Sequence, residues 1–192
     1  MSKLTFSDLG YSQKWMDYGL ISQSFLFQQL NEFENSDDQN TEHYRYAGFL
    51  NWLRNKDELT DKEVENYLEL ALEDHNEVMA GSAVKELFYS PLLTESQLAY
   101  TQNKFKLFGE WTLKHIQELE LKKRFRSEEL TPELIEACLE YSEVFKSSHF
   151  LREIIQRSED SKVIEVFTSN DFGKKIRILA NQKLKRIKKR HY

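Results

Sequence analysis

A short motif that begins helices occurs three times in this chain, and it constrains the fold more than any other feature. A leucine precedes a threonine at Leu59-Thr60, Leu93-Thr94 and Leu130-Thr131, at intervals of 34 and 37 residues. The threonine hydroxyl can accept a hydrogen bond from an unpaired backbone N–H group of the first helical turn. The leucine can pack on an apolar side chain four residues after the threonine. The motif therefore predicts repeated helix pairs.

The residues inside each copy support the same prediction. Glu63 and Gln97 lie three residues after their threonines, where their side chains can close a capping box. In the third copy Pro132 follows the threonine directly, and its fixed φ suits the first helical position. All three copies therefore favour helix starts, although they use two different devices.

Composition favours an all-α fold. The 192 residues include only six glycines and two prolines, whereas an all-β chain of this length would need many tight turns. Apolar residues recur at helical spacing along most of the chain. We predict an all-α, right-handed α-solenoid of about four stacked helix pairs. Residues 1–40 form an N-terminal helical region packed on the solenoid, and residues 41–192 form the helical-repeat domain.

Details of the N-terminal part qualify this pattern. Gly19 is expected to kink or split the helical segment over residues 12–34, and residues 35–40 lack apolar side chains and are expected to form a loop. Gly48 lies inside the next helical pattern, where glycine lowers helix propensity.

Three stretches resemble the HEAT-like and leucine-rich-repeat-variant families of α-helical repeats. These are residues 73–77 (Glu-Asp-His-Asn-Glu), residues 83–87 (Ala-Val-Lys-Glu-Leu) and Leu93-Thr94. Residues 176–180 (Ile-Arg-Ile-Leu-Ala) look like the opening helix of a further repeat. The resemblance covers about residues 41–190 and implies stacked helix pairs. Such repeats serve many unrelated roles, so it implies no particular activity. The tetratricopeptide family shares the 34-residue period, but its Trp…Leu-Gly…Tyr pattern does not occur here.

The sequence contains no recognisable catalytic or metal-binding motif. No His-Glu-x-x-His, phosphate-binding glycine loop or Gly-x-Ser-x-Gly motif occurs. The single cysteine, Cys138, lies among apolar residues of a predicted helix and is expected to be a buried hydrophobic side chain. We expect a protein without enzymatic activity, metal or cofactor.

Charge is distributed unevenly along the chain. The net charge is −5, yet residues 172–192 hold nine basic and no acidic residues, which leaves −14 on the remainder. The candidate basic binding surface is Lys183, Lys185, Arg186, Lys188, Lys189 and Arg190. The alternative interpretation is structural, because cations near a helix C-terminus complement its dipole and a terminal repeat needs a polar outer face.

Aromatic residues in the first quarter of the chain form a second candidate surface. They exceed what one helix face needs, and most are expected to lie in the core. We select Tyr44, Tyr46 and Trp52 as candidate exposed anchors, because aromatic side chains are enriched at binding hot spots.

Together these observations favour a non-enzymatic protein-interaction module or scaffold. One alternative is nucleic-acid binding through the basic C-terminal helix, and another is an acidic inhibitor or immunity-type protein that masks a basic partner. No apolar stretch after Lys3 resembles a signal peptide, and none is long enough to span a membrane. We therefore expect a cytoplasmic protein that binds a protein partner, with nucleic acid as a second possible ligand and no membrane contact.

Overall fold

The computed structural model describes residues 5–190, with only the backbone of Arg190 included. Residues 1–4, which open the segment compared above with a signal peptide, lie outside this part. Throughout residues 5–190 the regular structure is helical and no strand occurs, which confirms the all-α prediction. The chain forms two compact units, unit 1 (Met1–Thr112) and unit 2 (Leu113–Tyr192). This division falls well beyond residue 40, and residues 5–40 lie in the same unit as the four α-helices that follow them.

Unit 1 begins with a 3-10 turn, Phe6–Leu9, and contains a second one, Lys106–Phe108. Its α-helices are α1 (Gln13–Asp17), α2 (Gln23–Asn35), α3 (Thr41–Arg54), α4 (Asp61–Leu72), α5 (Glu77–Phe88) and α6 (Glu95–Phe105). The predicted break near Gly19 is confirmed, since α1 and α2 are separate and Gly19 has a φ of 68°.

The three predicted helix starts are present. The Thr60 and Thr94 side chains each accept a hydrogen bond from the backbone N–H of the third helical residue, and Glu63 and Gln97 close the two capping boxes. Thr131 accepts the N–H of Leu134, and Pro132 follows it in the first turn. The pKa of Glu63 falls to about 2, because its carboxylate accepts hydrogen bonds from Lys56 and from the Thr60 backbone. These caps are local, which is why the sequence alone predicts them.

The N-terminal elements pack directly on α3. The Tyr11 hydroxyl lies 2.6 Å from Gln29 Oε1 and 2.7 Å from the Tyr44 carbonyl oxygen, which also accepts a hydrogen bond from the Gln29 amide. Gly48 sits on α3 at this contact, because a Cβ there would approach the Tyr11 hydroxyl to 2.8 Å. Close packing therefore explains a glycine that propensity alone disfavours.

A buried ion pair joins α3 to the turn between α4 and α5. Arg45 Nε lies 2.6 Å from Asp74 Oδ2, and Arg45 Nη2 lies 3.0 Å from Asp74 Oδ1. Arg45 Nη1 also donates to the Leu9 carbonyl and to the Thr41 hydroxyl. Both charged side chains are less than a tenth exposed, so one guanidinium ties three parts of unit 1 together.

Unit 2 consists of α7 (Trp111–Ser127), which begins two residues before the division, α8 (Pro132–Phe145), α9 (His149–Arg157), α10 (Ser161–Val166) and α11 (Lys174–Arg190). One apolar core joins them. Its largest fully buried side chains are Phe150, Phe167, Leu134 and Ile154. The Phe150 ring stacks on Phe125 with centroids 5.4 Å apart and meets Tyr141 edge to face at 5.3 Å.

The two units carry opposite net charge. Residues 1–112 contain nine basic and nineteen acidic residues, for a net charge of −10, and residues 113–192 contain eighteen basic and thirteen acidic residues, for +5. Within unit 2, residues 113–171 hold nine basic and thirteen acidic residues, so its positive net charge comes from residues 172–192, as the sequence indicates.

Candidate binding surface on the terminal helix

The last helix of unit 2 places an apolar stripe in the core and a basic face in solvent. Its buried residues are Ile176, Ala180, Leu184 and Ile187, which recur at helical spacing and belong to the core of unit 2. Opposite this stripe the exposed residues include Lys185 and Lys189, one turn apart. Packing thus fixes which side of α11 faces outward, and that side is cationic.

Four of the six predicted surface cations are exposed. We call Lys185, Arg186, Lys188 and Lys189 the terminal cationic surface. Within residues 5–190, none of these four side chains makes a hydrogen bond or ion pair. The side chain of Arg190, the last of the predicted cations, lies outside the described part of the chain.

Lys183 occupies a different position from the other predicted cations. Its Nζ lies 3.0 Å from the Gln156 carbonyl oxygen and 2.6 Å from Glu159 Oε1, and only 17% of its side chain is exposed. Lys183 therefore ties α11 to the end of α9 and to the turn that follows. Sequence reasoning missed this pair, because Glu159 lies 24 residues away and no local pattern links the two.

Two opposing electrostatic effects act on the cations near the C-terminal end of α11. No acidic residue lies anywhere in the helix, so Lys185 and Lys189 repel each other without compensation from the helix itself. The partial negative charge at the helix C-terminus favours these cations in part. The terminal cationic surface is thus compatible with a folded helix and remains available for an anionic partner.

The expectation of exposed aromatic anchors is wrong for Tyr44 and Trp52. Tyr44 is 8% exposed and packs edge to face on Phe33, and Trp52 is 6% exposed and packs on Tyr67. Both are buried because α3 is covered on more than one side, by the N-terminal elements and by α5. Tyr46 is half-buried and donates a hydrogen bond to Glu86. These aromatic side chains stabilise unit 1 and do not form one exposed patch.

The prediction that Cys138 is a buried hydrophobic side chain is confirmed. It is fully buried in the core of unit 2, and burial raises the pKa of its thiol to about 12. The reactive thiolate is therefore scarce at neutral pH and inaccessible to reagents in the folded state.

This burial predicts the behaviour of Cys138 toward a thiol reagent. We expect the folded protein to react with dithionitrobenzoate at least about 100-fold more slowly than the unfolded chain in urea, since labelling requires opening of the core. The measurement is the absorbance of the released thiolate over time. Labelling at the same rate in the presence and absence of urea would contradict the buried position. Because Cys138 is the single cysteine, its reaction also reports on unit 2 alone.

The acidic turn around His75 is occupied by structural contacts. Asp74 pairs with Arg45 and also accepts the Asn76 backbone N–H, while Asn76 caps α5. Across residues 5–190, no group of three or more His, Cys, Asp or Glu side chains is arranged to hold a metal ion. In the same part of the chain, no helix has both the length and the apolarity that crossing a bilayer requires.

Unit 2 also carries cations before the terminal helix, but there acidic residues outnumber them. α7 carries the exposed cations Lys123 and Arg126, and half of the eighteen basic residues of unit 2 precede residue 172. All thirteen acidic residues of unit 2 also precede residue 172, so residues 113–171 have a net charge of −4.

Comparison with known proteins assigns neither a family nor a function to this chain. Comparison of this chain with protein-family profiles, with curated proteins and with solved structures finds no match.

Proposed function

We propose that this chain is a non-enzymatic interaction module that binds an acidic protein partner through the terminal cationic surface. The observation that carries the proposal is that these four exposed cations lack a partner within residues 5–190 and lie on a helix without acidic residues. They also belong to a unit with a net charge of +5. An acidic segment of a partner would neutralise the repulsion among them and accelerate association.

The proposed architecture is a HEAT-like, right-handed solenoid of helix pairs. Short turns support it, since α4 and α5 are separated by residues 73–76, and α8 and α9 by residues 146–148. The capped helix starts at Thr60, Thr94 and Thr131 recur at near-regular intervals, as stacked repeats require. In such a module the terminal helix presents one face to the stack and the other to a partner.

The charge of unit 1 favours a protein partner over a long nucleic acid. A duplex carries one negative charge per ~1.7 Å of its axis, and the net charge of −10 on unit 1 would repel any part of it that approached. An acidic peptide segment or a local acidic patch can contact the terminal cationic surface without this penalty.

Nucleic acid is the second candidate ligand, and the spacing of the cations favours it. Lys185 and Lys189 lie one helical turn apart on the exposed side, and Lys188 and Arg186 flank them. A row of cations of this kind suits successive phosphates of a backbone. Binding by four phosphate contacts would weaken on the order of 100-fold between 50 and 200 mM salt.

Affinity purification from the native cells, with and without nuclease, tests both candidates. The test variant replaces Lys185, Arg186, Lys188 and Lys189 with glutamine. The control replaces four cations of unit 1 with glutamine (Arg54, Lys62, Lys104 and Lys106), so that both variants lose four positive charges. We expect an acidic protein to co-purify with the wild type and the control, and its recovery to be unaffected by nuclease. With the test variant its recovery should fall about tenfold or more, because charged residues at an interface accelerate association with a partner of opposite charge.

Other outcomes would change the assignment. Nucleic acid that is lost with the test variant would establish the second candidate. A basic partner retained by the test variant would support the inhibitor hypothesis, in which unit 1 is the binding body. A turnover activity that disappears with a single side-chain change would contradict the non-enzymatic proposal.

A further inference from the structure

A second cationic site lies in unit 2, in a cleft between the turn that joins α8 to α9 and the turn that precedes α11. The cleft has a volume of about 750 Å³, within the range typical of small-molecule sites. Four basic side chains line it: Lys146, Arg152, Lys174 and Lys175. We call it the α9/α11 cleft, and none of its cations belongs to the terminal cationic surface.

The four cations of the cleft are unneutralised. Among residues 5–190, none of them forms an ion pair or a side-chain hydrogen bond. Glu143 and Asp171 also line the cleft, and Asp171 accepts a hydrogen bond from the Ser169 hydroxyl. Neither carboxylate lies within ion-pair distance of a cleft cation, so the lining retains an excess of two positive charges.

The position of Lys174 and Lys175 is electrostatically unfavourable without a ligand. They are the first two residues of the seventeen-residue helix α11, and no acidic residue follows them in the first turn. The start of a helix carries partial positive charge and favours anions, so two lysines there raise the free energy of the empty protein. The cations at the other end of α11 have a structural explanation in the dipole, whereas these two do not.

Neutral hydrogen-bond donors complete the polar part of the cleft. Ser142, Ser147 and Ser148 line it, and none of their hydroxyls has a hydrogen-bond partner within the described chain. Ser148 precedes α9 without capping it. Hydroxyl and cationic donors around one space match the oxygen atoms of a phosphate group.

Apolar side chains form the remaining wall. Leu139, Leu151, Phe172 and Ile176 line the cleft beside the cations, and Phe172 is only half-buried. A phosphate ion alone would leave this wall without contacts, whereas an aromatic or apolar group attached to the phosphate would cover it.

We infer that the α9/α11 cleft binds a small molecule that carries a phosphate group on an aromatic or apolar body. Lys146, Arg152, Lys174 and Lys175 would hold the phosphate, and Phe172 with its apolar neighbours would hold the body. This inference goes beyond the proposed partner-binding function, because it uses different side chains and a different ligand.

Calorimetric titration of the full chain with AMP, adenosine and inorganic phosphate tests the inference. We expect AMP to bind and each of the two fragments to bind at least about tenfold more weakly, since neither contacts both parts of the cleft. K174E/K175E should weaken AMP binding about tenfold or more, and K174R/K175R should retain it. Saturating AMP should also slow the labelling of Cys138 in the wild type, because a ligand of the folded state stabilises unit 2.

Matched variants separate binding from folding. K123E/R126E makes the same charge change on α7 and should leave AMP binding unchanged. In the absence of ligand, Cys138 of K174E/K175E should be labelled no faster than in the wild type, because acidic residues suit a helix start. The terminal variant K185Q/R186Q/K188Q/K189Q should bind AMP normally, which distinguishes this site from the proposed partner surface.

Three results would overturn the inference. The first is no AMP binding by the wild type at millimolar concentration, and the second is equal binding of AMP and inorganic phosphate. The third is unchanged AMP affinity in K174E/K175E.

Discussion

Replacement of Arg45 with methionine is expected to destabilise unit 1 by about 3–5 kcal/mol, the range seen when one partner of a buried ion pair is removed. The guanidinium makes two hydrogen bonds to Asp74 and one each to the Leu9 carbonyl and the Thr41 hydroxyl. Methionine fills similar space but leaves the Asp74 carboxylate charged, buried and without its cation. The expected loss is therefore mostly the free energy of that unpaired charge.

Tryptophan fluorescence during urea unfolding measures this effect within one unit. Trp15 and Trp52 are buried in unit 1, and the third tryptophan, Trp111, opens α7 on the unit 1 side of the division. The control is Lys14→Met, because Lys14 also contacts two carboxylates, Glu69 and Glu73, but is 42% exposed. We expect the control to shift the unfolding midpoint far less than Arg45→Met, since exposed ion pairs contribute little to stability. Equal shifts would contradict the buried role of Arg45.

A double replacement separates the ion pair from simple packing. If Asp74 becomes leucine in the Arg45→Met background, no buried charge remains, and part of the lost stability should return. The recovery is incomplete, because Asp74 also accepts the Asn76 backbone N–H at the start of α5. Strictly additive losses from the two changes would show that the side chains do not interact.

Replacement of Phe150 with alanine is expected to destabilise unit 2 by about 3–5 kcal/mol. Phe150 is fully buried and lies between the Phe125 and Tyr141 rings. Its removal leaves a cavity and breaks two aromatic contacts, each of which contributes about 0.5–1.5 kcal/mol beyond burial.

Thiol labelling of Cys138 as a function of urea measures this second effect, because Cys138 belongs to the same core as Phe150. The control is Val144→Ala on α8, which removes an apolar side chain that is 68% exposed. We expect the control to change the free energy of unfolding by less than about 0.5 kcal/mol. A labelling midpoint that is unaffected by Phe150→Ala would contradict the described core.

Features that depend on neighbouring residues could be predicted from the sequence. The caps at Thr60, Thr94 and Thr131, the separation of α1 from α2 and the apolar stripe of α11 all follow from patterns within a few turns of helix. Each uses information that lies within about one helix length.

Features that depend on residues far apart in the chain could not be predicted from the sequence. Tyr44 and Trp52 are buried because two separate parts of unit 1 cover α3, and a helical periodicity identifies only one covered face. Lys183 is engaged because Glu159 comes beside it from an earlier turn. The α9/α11 cleft combines side chains from two separate stretches of the chain, residues 139–152 and 171–176, and no spacing in the sequence brings them together.

The charge contrast between the units links the fold to the proposed function. A net charge of −10 on unit 1 and +5 on unit 2 allows one chain to repel anions over one surface and attract them over another. Under the proposed function, this arrangement would favour an acidic segment as the ligand of unit 2.

Residue-level lysine footprinting tests the proposed surface most directly. The protein is acetylated briefly, alone and with its co-purified partner, and the modification of each lysine is measured by mass spectrometry. We predict that Lys185, Lys188 and Lys189 become protected severalfold in the complex, while Lys62 and Lys106 of unit 1, also exposed, react as before. Protection confined to unit 1, with the terminal lysines unchanged, would contradict the account.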